Sequence, residues 1–300
     1  MIYVTSGHQK GIGLEIFLKS LLLISKESHK NFYLAVDENT FNENLSMLGL
    51  NPSFFSNLNV HFTKKNDFPE STKSLSWCLT HLKEKDILIT LPTSKDQLIF
   101  NNKNQAGYTE FFRSYFNIKE LPMVFKSSDQ NVLLISDHVS LNNVSQYISN
   151  ELIINKTKIA LNGFKKYFQP IDELVMAGLN PHAGENGILG DEEIKLQPAL
   201  NQLRADTKLN IVGFVSGDTL HFHQKSHLNQ LFVYMFHDQG LAKFKSENGV
   251  IGLNITFGLP FLRLSVDHGT AFDLYGKNKA NISGMLYLIN TALKVNHHVN

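Results

Sequence analysis

Short, nearly continuous apolar runs recur along this chain of 300 residues, and they limit the fold more than any other feature. Examples are residues 86–92, 131–136 and 231–236. A strand that is apolar on both faces belongs to a parallel sheet that helices cover on both sides. Helix-like segments, such as residues 11–26 and 191–205, separate these runs. The alternation therefore predicts an α/β fold in three layers, with helices on both sides of a largely parallel sheet.

The composition excludes several classes of protein. With 28 Lys and Arg against 27 Asp and Glu, the net charge of +1 argues against an electrostatic nucleic-acid binder or a membrane-surface protein. The single cysteine, Cys78, excludes an intramolecular disulfide and suits a reducing compartment. No apolar segment has the length of a membrane span, and the first residues lack the basic start of a signal peptide. We therefore expect a cytoplasmic protein that binds neither nucleic acid nor membrane.

The chain has no long linker and no internal repeat, so two domains would be interleaved. The polar segment Asn101–Gly107 and the region near His268 are the candidate crossing points. We expect a discontinuous first α/β subdomain of residues 1–100 plus 268–300, and a second one of residues 101–267.

Three histidines, His138, His182 and His237, each follow an apolar strand-like run. Because the carboxyl ends of parallel strands meet at one edge of a sheet, these imidazoles can converge there. Three protein nitrogens with open coordination positions are typical of a catalytic metal site. Three unrelated polar loop residues are the alternative, and spacing alone leaves it open.

Polar and charged side chains follow His237 and suggest a cleft that takes an anion. Asp238 is placed to orient the neighbouring imidazole. Lys245 and Arg263 suit a phosphate or carboxylate, and Asn254 lies between them in the chain. A solvated lysine, a turn asparagine and an ordinary ion pair are the plainer interpretations.

The segment Asp267-His-Gly-Thr-Ala271 precedes a helical turn. Gly269 allows close approach of the backbone, and the turn offers free N–H groups. This arrangement can hold a nucleotide, whereas a simple helix N-cap is the alternative.

Several longer blocks resemble the 4-hydroxythreonine-4-phosphate dehydrogenase family, enzymes of pyridoxal phosphate synthesis. The main blocks are Gly178-Leu-Asn-Pro-His-Ala-Gly-Glu185, His237-Asp-Gln-Gly-Leu241, Gly258-Leu-Pro-Phe261 with Arg263, and Ser265-Val-Asp-His-Gly-Thr-Ala271. Weaker matches are Gly11-Ile-Gly13, Leu88-Ile-Thr90 and Thr109-Glu-Phe-Phe112. They run in the family's order across nearly the whole chain, which makes chance agreement improbable.

The resemblance implies an isocitrate/isopropylmalate dehydrogenase-like fold and a homodimer whose active site draws on both subunits. It implies metal ligation by His138, His182 and His237, with Zn²⁺ favoured and Mg²⁺, Co²⁺ or Mn²⁺ as alternatives. It implies that NAD, or NADP instead, contacts Asp267, His268, Gly269, Thr270 and Ala271.

The same resemblance implies a small phosphorylated hydroxy acid as substrate, 4-phosphooxy-L-threonine, which NAD oxidises and which then loses carbon dioxide. The substrate-contacting positions would be Tyr108, Thr109, Lys245, Asn254 and Arg263. We expect catalytic roles for Lys245, in proton transfer, and for Asp238.

The chain also departs from the family pattern. Tyr108 stands where the family has histidine, and His8-Gln-Lys10 replaces Asp-Pro-Ala before Gly11. Leu91 replaces a small residue, and the chain is shorter between Leu58 and Lys85. These changes leave three alternatives: a dehydrogenase for D-threonate or D-erythronate 4-phosphate, a non-catalytic metal-binding dimer, and an acyltransferase of related fold.

Overall fold

Strands and helices alternate along the residues that the computed structural model describes, 1–64 and 67–299. The strands are β1 (Ile2–Thr5), β2 (Phe32–Val36), β3 (Asn59–Phe62), β4 (Ile87–Ile89), β5 (Ile99–Phe100), β6 (Lys103–Asn104), β7 (Met123–Lys126), β8 (Asn131–Leu134), β9 (Glu173–Ala177), β10 (Asn210–Val215), β11 (Gln230–Tyr234), β12 (Leu253–Thr256) and β13 (Leu262–Val266). The helices are α1 (Gly13–Leu21), α2 (Glu38–Leu48), α3 (Glu70–His81), α4 (Tyr108–Phe116), α5 (Leu141–Tyr147), α6 (Asn150–Tyr167), α7 (Glu192–Thr207), α8 (His237–Asn248) and α9 (Ser283–Val299). None of these helices has the length and apolar character needed to span a membrane.

The first of two compact units comprises Met1–Lys119, Val250–Asn254 and Leu259–Asn300. Its strands lie side by side in the order β13, β4, β1, β2 and β3, and every neighbouring pair is parallel. Strands β5 and β6 form a separate antiparallel hairpin. Helix α3 contacts β1 and β2, and α9 contacts α1 and β13. The apolar strands predicted from the sequence are thus buried under helices, with Ile2, Leu34 and Ile89 fully inaccessible.

The second unit comprises Glu120–Gly249 and Ile255–Gly258. Its strands lie in the order β10, β9, β11, β8 and β7. All neighbouring pairs are parallel except β7 and β8, which are antiparallel. Strands β9, β11 and β8 are therefore adjacent and point the same way, so the residues after them meet at one edge of the sheet.

The structure differs from the expectations in three places. The helix predicted from Ser140 to residue 162 is two helices, because the Ser149 hydroxyl accepts the Leu152 N–H (3.2 Å) and starts α6 afresh. The residues from His237 onward form α8 instead of a loop. The two units divide at other residues than 100 and 267: segments 101–119 and 259–267 belong to the first unit, where α4 contacts β5 and β13 pairs with β4.

Candidate active site

The imidazoles of His138 and His237 lie together in the second unit, with ring centroids 5.8 Å apart. Pairing of the two strands continues past their ends, since the Ile135 N–H donates to the Tyr234 carbonyl (2.9 Å) and the Ser136 N–H to the Met235 carbonyl (3.0 Å). These bonds hold both histidines in register. One metal ion can span such a ring separation, because metal–nitrogen bonds are about 2.0–2.1 Å long.

Asp238 fixes the orientation of the His237 ring. Its Oδ1 lies 2.7 Å from Nδ1 of His237. A carboxylate at that distance favours the tautomer with the proton on Nδ1, which leaves Nε2 as a lone-pair donor to a metal or a substrate. Asp238 itself is open to solvent, with 91% of its side chain exposed.

His182 belongs to a short turn of unusual backbone conformation. Five consecutive residues have positive φ, namely His182 (52°), Ala183 (52°), Gly184 (76°), Glu185 (46°) and Asn186 (56°). A left-handed conformation costs a residue other than glycine about 1–2 kcal/mol, so the surrounding structure must hold this turn in place.

The buried carboxylate of Glu193, on the first turn of α7, anchors the chain just before this turn. Its Oε1 accepts the backbone N–H groups of Leu179 and Asn180, each at 2.7 Å, and its Oε2 accepts the Asn180 side-chain amide at 3.0 Å. Sequence analysis missed this role, although the acidic start Asp191-Glu-Glu193 was the available signal.

His182 faces a cavity of about 510 Å³ that Asp218 and Gln239 also line, whereas His138 and His237 do not line it. Within residues 1–64 and 67–299, no group of three or more His, Cys, Asp or Glu side chains is arranged to hold a metal ion. The structure thus brings two of the three predicted ligands together and places the third after the adjacent strand β9.

Gln239 links the ends of β11 and β9 and was also missed. Its Oε1 accepts the Met235 N–H and its Nε2 donates to the Gly178 carbonyl, both at 2.8 Å. It therefore positions the segments that lead to His237 and His182. The only signal in the sequence was its place inside His237-Asp-Gln-Gly-Leu241.

Arg263 is the buried cation of the first unit, with 4% of its surface exposed. Its Nε and one terminal nitrogen donate to Oγ1 of Thr90 (2.9 and 2.6 Å), and the other terminal nitrogen donates to Oδ1 of Asn254 (3.3 Å). Burial lowers the pKa of the guanidinium to about 10, so it stays cationic at neutral pH. Thr90 is a positioning residue that the sequence analysis quoted only as a weak family match.

Tyr108 lies under this guanidinium, with the Arg263 Cζ 5.4 Å from the centre of the ring. Its hydroxyl donates to the Leu91 carbonyl at 3.0 Å and contacts Oγ1 of Thr5 at 3.3 Å. Burial is the main cause that raises the pKa of Tyr108 to about 12. The ring therefore faces the cation, while the neutral hydroxyl is occupied by main chain and a threonine. Thr109 is half-buried on the next position of α4.

The segment 267–271 packs against the first loop of the chain within the first unit. The Ile12 N–H donates to the Thr270 carbonyl at 3.0 Å. Nε2 of His268 is buried and makes no hydrogen bond within the residues that the structure describes. A Cβ placed on Gly269 would meet open space. This segment offers an unsatisfied ring nitrogen beside room for a ligand.

Lys245 lies in the last turn of α8 in the second unit, and its side chain is exposed. It shares that helix with His237, which begins it, so the two residues are positioned by one rigid element.

Comparisons with known proteins give a consistent picture. The profile of the family described as pyridoxal phosphate biosynthetic protein PdxA matches residues 30–292. A 4-hydroxythreonine-4-phosphate dehydrogenase from Sulfurihydrogenibium sp. is 37% identical over 215 residues, 70% of this chain and 65% of that protein. The chain thus spans just under two thirds of that relative's length. The protein of the same name from Hydrogenobaculum sp. is 30% identical over 305 residues, 95% of each chain.

Solved structures confirm the predicted fold class. The crystal structure of 4-hydroxythreonine-4-phosphate dehydrogenase from Klebsiella pneumoniae matches with a TM-score of 0.80 and 26% identity, covering 99% of both chains. Isocitrate dehydrogenase from Methylococcus capsulatus matches with a TM-score of 0.53 and 10% identity, covering 100% of this chain and 85% of that one. The second likeness concerns the fold alone.

Proposed function

The chain belongs to the pyridoxal phosphate biosynthetic protein PdxA family, and on that premise we propose that it is a 4-hydroxythreonine-4-phosphate dehydrogenase. The secondary alcohol of 4-phosphooxy-L-threonine would lose a hydride to NAD and a proton to the site. The resulting β-keto acid would release carbon dioxide and take up a proton to give 3-amino-2-oxopropyl phosphate. The observation that carries this proposal is the pair His138 and His237 at the carboxyl ends of parallel strands, where ligands of such sheets bind.

The donor chemistry of this pair fits a divalent cation. Two imidazoles, one of them with its outer nitrogen held by Asp238, suit Zn²⁺ first, and Co²⁺, Mn²⁺ or Mg²⁺ as alternatives. We assign His182 as the third ligand, because it follows the strand adjacent to β11. When bound, the ion supplies Lewis-acid stabilisation of the negative charge that develops on the substrate.

Two cations serve the anionic groups of the substrate in this proposal. Arg263 is fixed by Thr90 and Asn254 and binds a phosphate or carboxylate. Lys245, exposed on α8, binds a second anionic group and delivers a proton to the carbon that carbon dioxide leaves. Tyr108 contributes its ring under Arg263, and Thr109 contributes the hydroxyl at the start of α4.

The nicotinamide cofactor is assigned to residues 267–271. The buried Nε2 of His268 and the open space at Gly269 fit a polar ligand that approaches the backbone closely. When bound, NAD accepts the hydride, and the protein supplies its orientation. NADP is the alternative cofactor.

The proposal extends to the assembly. We propose a cytoplasmic homodimer in which each active site draws on both subunits, which sedimentation of the purified protein tests directly. A single species with the mass of one chain would contradict it.

Formation of NADH tests the reaction. Purified protein with Zn²⁺ and NAD should reduce the cofactor with 4-phosphooxy-L-threonine and release carbon dioxide in equal amount. NADH formation with D-threonate or D-erythronate 4-phosphate alone would select the alternative substrate class, which the neutral phenol of Tyr108 at the family's histidine position favours. No reduction with any of the three, despite bound metal, would refute the dehydrogenase assignment.

A pair of histidine variants controls for the metal site. His237→Ala should lower turnover and zinc binding together, because it removes a ligand. His227→Ala replaces an exposed histidine outside the site and should change neither. Equal loss in both variants would contradict the role given to His237.

A further inference from the structure

A second cavity, of about 800 Å³, lies wholly within the first unit and includes none of the candidate active-site residues. Helix α3, the hairpin of β5 and β6, and helix α4 form its walls. A cavity of this size that is lined mainly by apolar side chains is typical of a small-molecule site.

Aromatic rings dominate the walls. Phe100 lies 5.7 Å from Phe111 and 5.6 Å from Tyr115 between ring centroids, and the rings of Phe111 and Tyr115 are stacked at 5.9 Å. On the α3 side, Trp77 stacks on His61 with centroids 4.2 Å apart and planes 9° from parallel. Flat faces of this kind favour a planar ring as ligand, through offset stacking or edge contacts.

The walls are held rigidly. Thr72 on α3 accepts the Ile99 N–H at 2.9 Å and donates to the Gln97 carbonyl at 2.7 Å, which ties the hairpin to the helix. The hairpin turns through Asn101 and Asn102, both with positive φ (49° and 59°), as a tight two-residue turn requires. The cavity is therefore preformed, so little ordering free energy opposes binding.

The charges at the cavity have one sign. Lys64 and Lys73 line it, and no aspartate or glutamate does so among the residues that the structure describes. Lys73 is half-buried on α3, one turn before Trp77. A lysine ammonium next to stacked rings suits a phosphate carried on a flat ring.

We propose that this cavity binds a phosphorylated pyridine ring, the chemical class of the end product named in the family's description. Binding outside the candidate active site would let the pathway's product act on an early enzyme of its own synthesis. The choice of the pyridine ring rests on family membership. Binding is measured without turnover, so its failure leaves the dehydrogenase proposal standing, and the reverse also holds.

The chain contains one tryptophan, Trp77, which lines this cavity, so its fluorescence reports on the cavity directly. The probe is pyridoxine 5′-phosphate, which has no aldehyde and cannot form an imine with surface lysines. We expect saturable quenching, and affinity about tenfold weaker for pyridoxine, which lacks the phosphate. No quenching, or equal affinity for adenosine monophosphate, would overturn the assignment.

Three variants separate binding at the cavity from binding elsewhere. Ser76→Phe fills the cavity from an exposed position on α3 and should abolish quenching. Lys73→Gln should weaken binding about fivefold, and Lys85→Gln, an exposed lysine outside the cavity, should leave it unchanged. Calorimetry on Ser76→Phe, with its circular dichroism as a check of folding, provides the second measurement. Undiminished binding in that variant, or an assembly that dissociates on the substitution because a second copy covers the cavity, would overturn the proposal.

Discussion

Replacing Tyr108 by phenylalanine removes one buried oxygen atom and leaves the ring in place. That oxygen donates to the Leu91 carbonyl at 3.0 Å and contacts Oγ1 of Thr5, which is fully buried, at 3.3 Å. The substitution therefore separates two roles for Tyr108: a hydroxyl that joins three segments of the first unit, and a hydroxyl that contacts the substrate.

The expected cost follows from the two contacts. A neutral hydrogen bond contributes about 1 kcal/mol net, and a buried partner left without a bond costs about 1–3 kcal/mol. Thr5 keeps the Leu91 N–H, which donates to its Oγ1 at 3.2 Å, so its loss is the smaller one. We expect Tyr108→Phe to lower the free energy of unfolding by about 1–3 kcal/mol.

Urea denaturation followed by tryptophan fluorescence is the assay, because the single tryptophan lies in the same unit as Tyr108. The midpoint should fall by about 0.5–1 M with the slope unchanged. Tyr115→Phe is the matched control: this side chain is 40% exposed, and its loss should stay within about 0.5 kcal/mol. Thr5→Val combined with Tyr108→Phe should cost less than the sum of the two single changes.

The reasoning fails if Tyr108→Phe leaves the midpoint where it is. It also fails if the KM for 4-phosphooxy-L-threonine rises while stability is unchanged, since the hydroxyl would then serve the substrate. A lower midpoint with the KM unchanged confirms the structural role.

Three further predictions concern the second unit and the pH dependence of stability. Asp238→Asn should weaken zinc binding about tenfold, measured by competition with a chromophoric chelator, because the His237 tautomer loses its partner; unchanged affinity would contradict this. Lys245→Met should lower kcat about 10–100-fold with circular dichroism unchanged, and full turnover would rule out the proton-transfer role. Burial raises the pKa of Tyr108 and of Tyr234 to about 12 each, so above about pH 10 the unfolded chain releases protons that the folded one keeps. The free energy of unfolding should therefore fall as pH rises from about 10 to 12, by up to about 1.4 kcal/mol per pH unit for each group. Urea midpoints across that range should fall less steeply in Tyr108→Phe, and an identical slope would count against the assignment.

The parallel strands were predictable because their signal is local. The apolar runs at residues 131–136 and 231–236 become β8 and β11, and the histidines that follow them meet at one sheet edge. The rule that places ligands at carboxyl ends of parallel strands needs nothing beyond the order of strands and loops.

The conformation of the loops was not predictable, because distant residues impose it. The left-handed turn at His182 depends on Glu193, whose carboxylate accepts two backbone N–H groups 13 and 14 residues earlier. The hydroxyl of Tyr108 finds its partners 17 and 103 residues away. Such contacts leave no periodic pattern in the sequence.

Helix α8 escaped prediction for a different reason. It buries only Gly240, Leu241 and Phe244, so no apolar stripe of normal width marks it. The division of the chain was missed because it depends on strand pairing, as when β13 joins β4 across more than 170 residues of sequence.

The contact between Gly163 and Phe257 governs how the second unit can be isolated. A Cβ at residue 163 would come within 2.3 Å of the Phe257 ring, so that ring fills a slot which only glycine leaves open. Phe257 belongs to the four-residue return of the chain, Ile255–Gly258. An expression clone that ended at residue 249 would therefore carry an empty apolar groove along α6, whereas one that spliced the return segment back on through a short linker would restore its missing wall.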